Sequence, residues 1–243
     1  MSNELANNWW LSPVEIEAFG LHGQADTNPS GYLSERAWKH VVMPVLNPPH
    51  WDELLHNKWL FAQYCSRLNV RIPRTIGYVH ANHGFDLDRT PLRCAADLVA
   101  IVDHDSADGF VMKPIRGEQG EGILIVDHVE DGVFIGVDGH EMNSAELDRL
   151  IGDAALHDGF IIERRLKQAT WFDSFAGLSN SLRVHTFLPK EGEPIVQSAI
   201  LRMGRVNQIA DNWAQGGIAV QVDVATGKLG RGRLKPKYGG TWH

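Results

Sequence analysis

Residues 110–126 read FVMKPIRGEQGEGILIV, and this stretch carries the strongest local pattern of the chain. An apolar run with one lysine, Lys113, leads into a polar, glycine-rich turn, and a second apolar run follows. Two apolar runs around a short glycine-containing turn are typical of a β-hairpin. We therefore predict a hairpin whose tip carries three glycines, Gly117, Gly120 and Gly122.

The predicted hairpin also has features of a phosphate-binding loop. Glycine lets backbone N–H groups approach phosphate oxygens closely, and Lys113 adds a cation beside them. The loop is not of Walker A type, because no Gly-Lys-Ser/Thr follows, nor of Rossmann type, because a strand follows instead of a helix. A purely structural hairpin tip would give the same pattern, so both interpretations stay open.

Strands dominate the chain on the C-terminal side of residue 110, and helices are few. We predict strands at 75–79, 110–115, 123–126, 132–137, 159–163, 181–188, 195–203 and 217–222. We predict helices at 50–68, 91–103 and 144–151, and a mostly helical segment at 1–48. This order indicates an α+β fold rather than regular βαβ repeats.

The composition is that of a folded, water-soluble chain. Of 243 residues, 43% are apolar and 22% charged, which excludes disordered and collagen-like classes. The net charge of −7 weakens any reading as a nucleic-acid binder. Cys65 and Cys94 are too few for a disulfide framework, and we expect both to be reduced. No signal peptide or membrane span is expected, so we predict a cytoplasmic protein.

The charge is distributed unevenly along the chain. Residues 194–243 contain seven bases and two acids, a net +5, which leaves −12 for residues 1–193. The bases are Arg202, Arg205, Lys228, Arg231, Arg233, Lys235 and Lys237. The basic segment is either a solvated end of the chain or a surface that meets an anion such as a phosphate, a nucleotide or an acidic substrate.

Four further positions have side chains suited to nucleotide chemistry. Lys58 lies on the predicted helix 50–68, whose apolar stripe includes Leu60, and Glu163 ends a predicted strand. Arg183 has a donor fork that matches phosphate or carboxylate. The Asp211-Asn212 pair offers hard oxygen ligands suited to Mg²⁺. Each also has an ordinary structural explanation: a solvated lysine, a strand-end acid, a surface arginine and an Asx turn.

Taken in order, these segments resemble the ATP-grasp superfamily, and most closely its sugar-transfer-associated branch, akin to the glutamate-ligase-like enzymes. The resemblance covers roughly residues 50–230. It rests on NK (57–58), RIPRTIG (71–77), VMKP (111–114), the loop 117–122, FIIE (160–163), SLRV (181–184) and DNWAQGGIAV (211–220). The Lys-Pro with its glycine loop and the Asp-Asn…Gly-Gly segment are the most specific parts.

The resemblance implies an ATP-grasp-like fold in which two α+β lobes hold a nucleotide between them. It suggests a helical extension (1–48), an N-terminal ATP-grasp region (49–108), a phosphate-loop subdomain (109–165) and a C-terminal lobe (166–243). Family members end their core with a Glu-x-Asn strand that holds magnesium, which is not seen near residue 243. The C-terminal part of the core is therefore expected to be missing. The Glu141-Met142-Asn143 triplet has the spacing but precedes the predicted hinge strand.

The resemblance also implies roles for individual residues around ATP and Mg²⁺. Lys58 and Lys113 would bind phosphates, under a mobile loop containing Gly117, Gly120 and Gly122. Glu163 and its neighbours would form the hinge that reads adenine. The remaining residues would act near the reaction: Arg183 and Asn212 in catalysis, and Asp211 with Asn212 on the metal.

Three functions follow as hypotheses. The first is an ATP-dependent ligase that joins a carboxylate to an amine or thiol through an acyl-phosphate, in a polysaccharide-related pathway, with small-molecule, peptide-linked or sugar-linked substrates. The second is a truncated or degenerate nucleotide-binding module without turnover. The third is an unrelated α+β binding protein with no affinity for ATP.

Overall fold

The protein is described by a computed structural model over most of its length. The described residues are 11–18, 21, 32–47, 49–105, 109–118, 120–154, 158–174, 179–205 and 211–240. The chain divides into two compact units, Met1–Leu55 and His56–His243.

The first unit consists of short helical segments where it is described. They are α1 (Pro13–Ala18), α2 (Glu35–Ala37), a π-helical turn (Trp38–Val42), α3 (Met43–Leu46) and a 3-10 turn (Pro49–Trp51). Leu11, Ile16 and Leu21 form a small buried cluster, with Tyr32 packed against it. The segment predicted to be helical at 1–48 contains helical turns at 13–18 and 35–46. Residues 1–10, 19–20, 22–31 and 48 of this segment lie outside the described part.

The helix predicted at 50–68 is wrong as a single element. The chain instead forms α4 (Asp52–His56) and α5 (Lys58–Arg67), and Asn57 between them has an extended backbone, φ −97° and ψ 102°. The Asn57 side chain accepts a hydrogen bond from the Leu60 N–H at 3.0 Å, so it caps α5. The predicted apolar stripe included Leu55, Leu60 and either Tyr64 or Cys65. It is wrong in part, because Leu55 and Leu60 are exposed, whereas Cys65 is buried as the stripe requires.

The larger sheet has seven strands in the order β2-β1-β7-β3-β4-β5-β6. Its strands are β1 (Thr75–Val79), β2 (Phe85–Asp86), β3 (Phe110–Pro114), β4 (Leu124–Glu130), β5 (Val133–Gly136), β6 (Glu141–Asn143) and β7 (Phe160–Arg164). The predicted hairpin is confirmed, since β3 and β4 pair antiparallel with Phe110 opposite Val126. The central strand β7 pairs with both β1 and β3.

Alternation along the strands gives the sheet two different faces. One face carries Phe110, Met112, Phe160 and Ile162 in the main core, which the helices α6 (Ala95–Asp105) and α7 (Ser144–Ala154) help to form. The opposite face carries Ile161, which packs with Ile115 and Ala62 of α5. Lys113 and Glu163 also belong to this opposite face, so the sheet presents polar groups on the side away from its main core.

The second sheet has four antiparallel strands in the order β11-β10-β9-β8. They are β8 (Asn180–Phe187), β9 (Ile195–Met203), β10 (Ile218–Val222) and β11 (Leu229–Arg233). The sequence predicted the first three, whereas β11, which contains two glycines and two arginines, lacks an apolar pattern. Buried Ala199, Leu201 and Val220 lie on one face, and Ser181 and Arg202 are paired on the other.

Cys65 and Cys94 are both free thiols, and Cys65 is buried. Within the described ranges no helix is both long enough and apolar enough to cross a bilayer.

Candidate functional site

A cavity of about 480 Å³ is lined by residues from both sheets of the larger unit. It brings together six residues that the sequence analysis singled out: Lys113, Gly120, Glu163, Arg183, Asp211 and Asn212. Their chain positions span about 100 residues, so only the fold places them side by side. The triplet Glu141–Asn143 forms the edge strand β6, and none of it is among the residues that line the cavity.

Lys113 and Glu163 form an ion pair at the floor of the cavity. Val111 lies opposite Glu163 in the β3–β7 ladder, which puts Lys113 and Glu163 on the same face. The Lys113 Nζ donates to the Glu163 Oε2 at 2.5 Å. Glu163 is only 7% exposed, so the structure places it inside the cavity rather than at a solvated strand end. Its role in reading adenine stays a prediction.

Lys58 reaches the glycine loop from the first turn of α5. Its backbone N–H donates to the Ile115 carbonyl at 3.1 Å, and its Nζ donates to the Gly117 carbonyl at 2.8 Å. Burial lowers the pKa of the Lys58 ammonium, and the positive charge of Lys113 lowers it further, against the opposing effect of Glu163 and Glu118. The Lys58 ammonium thus bonds the loop itself, whereas the Lys113 ammonium bonds Glu163, and of the two lysines only Lys113 lines the cavity.

The loop backbone requires its glycines. Gly117, Gly120 and Gly122 have φ angles of +141°, +82° and +67°, a region that other residues rarely adopt. A Cβ at Gly122 would also lie 3.0 Å from the Pro114 ring. Gly120 lines the cavity, while Gly117 and Gly122 lie beside it in the same loop.

Replacing Asn57 with alanine is expected to lower the free energy of unfolding by about 1 kcal/mol, because α5 loses its N-terminal cap. Chemical denaturation measures the change. Asn57→Asp, which keeps a side-chain acceptor, serves as the matched control and should stay within a few tenths of a kcal/mol of the wild type. Equal loss in both variants would show that the cap does not hold the start of α5.

The second sheet contributes a three-residue network to the cavity. Arg202 donates through Nη2 to the Ser181 hydroxyl at 2.8 Å and lies 3.2 Å from the Asp211 Oδ1. The Ser181 hydroxyl in turn donates to the Asp211 carboxylate. Arg183 lines the same cavity and forms no ion pair or hydrogen bond with the described residues. One arginine is therefore held in place, while the other is available to an anion.

Arg202 was not predicted as a site residue, because in the sequence it is one of seven bases in residues 194–243 and no motif surrounds it. The sequence placed Arg202 on the strand predicted at 195–203, but it did not predict which residue of the neighbouring strand lies opposite. Arg202 lies directly opposite Ser181 in the β8–β9 ladder, and that register fixes which residues face the cavity.

The residues proposed to bind metal are bonded within the protein. Asp211 is 7% exposed and holds Arg202 and Ser181, and the Asn212 Oδ1 accepts from the Ala214 N–H at 2.8 Å. Within the described ranges, no group of three or more His, Cys, Asp or Glu residues is arranged to hold a metal ion. A magnesium site at Asp211 and Asn212 stays a prediction.

Residues 164–168 connect the two sheets along one wall of the cavity. The Arg164 N–H donates to the Arg74 carbonyl at 2.8 Å. Arg165 forms an ion pair with Asp127 on β4. The Gln168 Oε1 accepts from the Asn180 N–H at 2.8 Å at the start of β8. This segment, which we call the connecting segment, is thus fixed to both sheets, and four of its five residues line the cavity.

Replacing Asp127 with asparagine is expected to lower the free energy of unfolding at pH 7 by about 0.5 kcal/mol, because the pair is partly exposed. Hydrogen bonds from His128 and Arg165 hold the pKa of the Asp127 carboxyl below its usual value of 3.8. The carboxylate therefore stabilises the fold above pH 4, and the contribution disappears as the pH falls through the lowered pKa.

Urea denaturation of wild type and Asp127→Asn at pH 7 and pH 3 measures this difference. The two proteins should converge at the lower pH. Asp138→Asn is the control, because Asp138 is an exposed acid outside the connecting segment that forms no ion pair with the described residues, and it should show no comparable convergence. A gap that persists at pH 3 would contradict the prediction.

Two antiparallel sheets, a lysine-flanked glycine loop and a cavity lined from both sheets define an ATP-grasp type of protein. A family model described as sugar-transfer associated ATP-grasp matches residues 39–237, most of the chain. The chain therefore belongs to the sugar-transfer associated ATP-grasp family, which confirms the predicted α+β, ATP-grasp-like fold. No curated protein matches the chain.

Proposed function

We propose that the cavity binds ATP and that the protein is an ATP-dependent ligase joining a carboxylate to an amine or thiol. The observation that carries the proposal is the convergence of Lys113, Glu163, Arg183 and Asp211 on one cavity of about 480 Å³. Family membership supports an ATP-dependent activity, and the volume is in the range of small-molecule sites.

The residues present fit the parts of ATP. Lys113 and Lys58 supply ammonium groups for phosphate oxygens, and the glycine loop supplies backbone N–H groups. The base would lie against the connecting segment, four of whose residues line the cavity. When bound, ATP supplies a phosphoryl group that makes a carboxylate reactive towards an amine or thiol, with release of ADP and phosphate.

The other side chains of the cavity hold and orient the reacting groups in this proposal. Arg183 balances the negative charge of a transferred phosphoryl group or of a substrate carboxylate. Asn212 lines the same cavity, and its Oδ1 accepts from the Ala214 N–H, so its amide N–H groups are directed away from that bond. The substrates would be small, peptide-linked or sugar-linked acids and amines, handled in the cytoplasm.

The proposal includes bound magnesium, but it assigns the ion no step of the reaction. Asp211 and Asn212 offer oxygen atoms, but Arg202 already neutralises Asp211. Because the described residues contain no acidic cluster, a second candidate is a nucleotide-binding module without turnover. The two candidates share Lys113 and the glycine loop, and they differ in the response to Mg²⁺ and to substrates.

Calorimetric titration with a non-hydrolysable ATP analogue, with and without Mg²⁺, tests the proposal. Tighter binding with Mg²⁺, followed by ADP formation from ATP when an acid and an amine are added, supports the ligase. An affinity for the analogue that Mg²⁺ does not change, together with no ADP formation from ATP, supports the module without turnover. The absence of binding in both conditions would reject ATP as the ligand of this cavity.

A further inference from the structure

A second concave surface, the basic groove, lies on the four-stranded sheet. It has a volume of about 540 Å³. We define it by six of its lining residues: Ser198, Trp213, Gln221, Asp223, Arg231 and Arg233. None of these residues lines the ATP cavity. The groove therefore has its own set of side chains, and the proposed ATP site does not account for them.

The strand register places the basic groove and the ATP cavity on the same face of this sheet. Arg202, Ala219 and Arg233 lie directly opposite one another on β9, β10 and β11. Arg202 lines the cavity, and Arg233 lines the groove. Ala219 between them has a small side chain, so the sheet surface is lower between the two arginines. Residues paired across antiparallel strands share a face, so the two concavities adjoin.

The backbone also joins the two concavities. Asn212 lines the cavity and Trp213, the next residue, lines the groove. The Trp213 indole N–H donates to the Arg233 carbonyl at 3.1 Å, which fixes the ring against β11. A ligand lying in the groove would therefore extend directly to the residues proposed to act in the reaction.

The groove carries a net positive charge. Arg231 is exposed and forms no ion pair or hydrogen bond with the described residues. Lys235 adds a cation 5.7 Å from the centre of the Trp213 ring. Asp223 is the acid of the groove, and its carboxylate accepts hydrogen bonds from the Thr226 N–H and hydroxyl at 2.7 and 2.8 Å. The groove is thus lined by two arginines and one internally bonded carboxylate, and Lys235 lies next to Trp213 without lining the groove.

We propose that the basic groove binds an acidic saccharide and presents it to the adjoining cavity. Arginine donors match sugar carboxylates or phosphates, and the exposed Gln221 with the Ser198 hydroxyl suits neighbouring sugar hydroxyls. Trp213 adds an aromatic edge of the kind that contacts sugar rings. This inference rests on the proposed function only for the role of the saccharide as a ligase substrate, and not for its binding.

Calorimetry with trigalacturonic acid, maltotriose and a triglutamate peptide tests the proposal on the full chain. The acidic trisaccharide should bind, maltotriose should bind at least about tenfold more weakly, and raising the salt from 50 to 300 mM should weaken acidic binding. Triglutamate carries similar charge without sugar hydroxyls. Its binding as tightly as trigalacturonic acid would overturn the saccharide assignment.

Arg231→Gln should weaken trigalacturonic acid binding about tenfold, the cost of one charge-assisted contact. Gln221→Ala is a second exposed position and should weaken it severalfold. Arg67→Gln, at an exposed arginine of α5, is the matched control and should change nothing. Equal effects in Arg67→Gln and Arg231→Gln, or no binding of the acid, would overturn the proposal. ATP-analogue binding is measured alongside, so that loss of the ATP site and loss of the groove are separate results.

Discussion

Replacing Lys113 with alanine is expected to weaken binding of the ATP analogue about 100-fold. Two effects add. A charge-assisted contact with phosphate is lost, at about 1.5–3 kcal/mol, and the Glu163 carboxylate is left without its ammonium partner. The uncovered carboxylate would then repel the phosphates that Lys113 had attracted. Isothermal titration with the analogue measures the change in affinity.

Three variants separate these contributions. Lys113→Arg retains the charge and should lose much less affinity. The double variant Lys113→Ala/Glu163→Gln removes the repulsion and should recover part of the loss. Lys190→Ala, at an exposed lysine in the turn after β8, is the control and should bind as the wild type does. If Lys113→Ala folds normally and its affinity is unchanged, the nucleotide does not lie on β3.

Gly217→Ala is expected to lower the free energy of unfolding by about 2–3 kcal/mol and to distort the cavity. A Cβ at residue 217 would lie 2.3 Å from the Asp211 carbonyl oxygen and 3.1 Å from that of Asn212. These are backbone atoms, which cannot move aside as a flexible side chain would, and overpacking of this kind costs about 1–3 kcal/mol. Thermal or urea denaturation measures the loss.

The distortion should also reach the ligand site. Asp211 holds Arg202, so a shift of its backbone removes the support of that guanidinium. ATP-analogue affinity should therefore fall together with stability. Gly152→Ala is the matched control, because no atom lies within 4 Å of its Cβ and it sits on the exposed side of α7. It should raise stability by about 0.5–1 kcal/mol. Equal effects of Gly217→Ala and Gly152→Ala would contradict the prediction that a Cβ at residue 217 overpacks the Asp211 backbone.

The sequence alone predicted those features that depend on the residue type at a single position, such as glycine in a turn. The glycines of the loop predicted the tip of a hairpin, which the pairing of β3 with β4 confirms, and the structure gives all three glycines a positive φ. The resemblance implied that Lys113, Asp211 and Asn212 surround one nucleotide, and all three line the same cavity. The ordered set of segments was sufficient for the family, which the match over residues 39–237 confirms.

Side-chain contacts that depend on strand pairing could not be predicted from the sequence. The Lys113–Glu163 pair requires β3 to lie beside β7, and the bond between Arg202 and Ser181 requires a specific β8–β9 register. A shift by one residue would turn each side chain to the opposite face. The break at Asn57 was missed for a different reason: its capping signal was present, but the continuous apolar pattern on either side favoured one long helix.

The position of β7 has a consequence for how the chain is made. Its neighbours β1 and β3 precede it by about 85 and 50 residues, so both pairings close long loops. Such contacts slow the search for the native state. During synthesis, β1 and β3 each leave the ribosome with one open edge, and these two edges stay unpaired until β7, which lies between them, has emerged. We expect nascent chains that end before β7 to be bound by chaperones, and longer ones to be released.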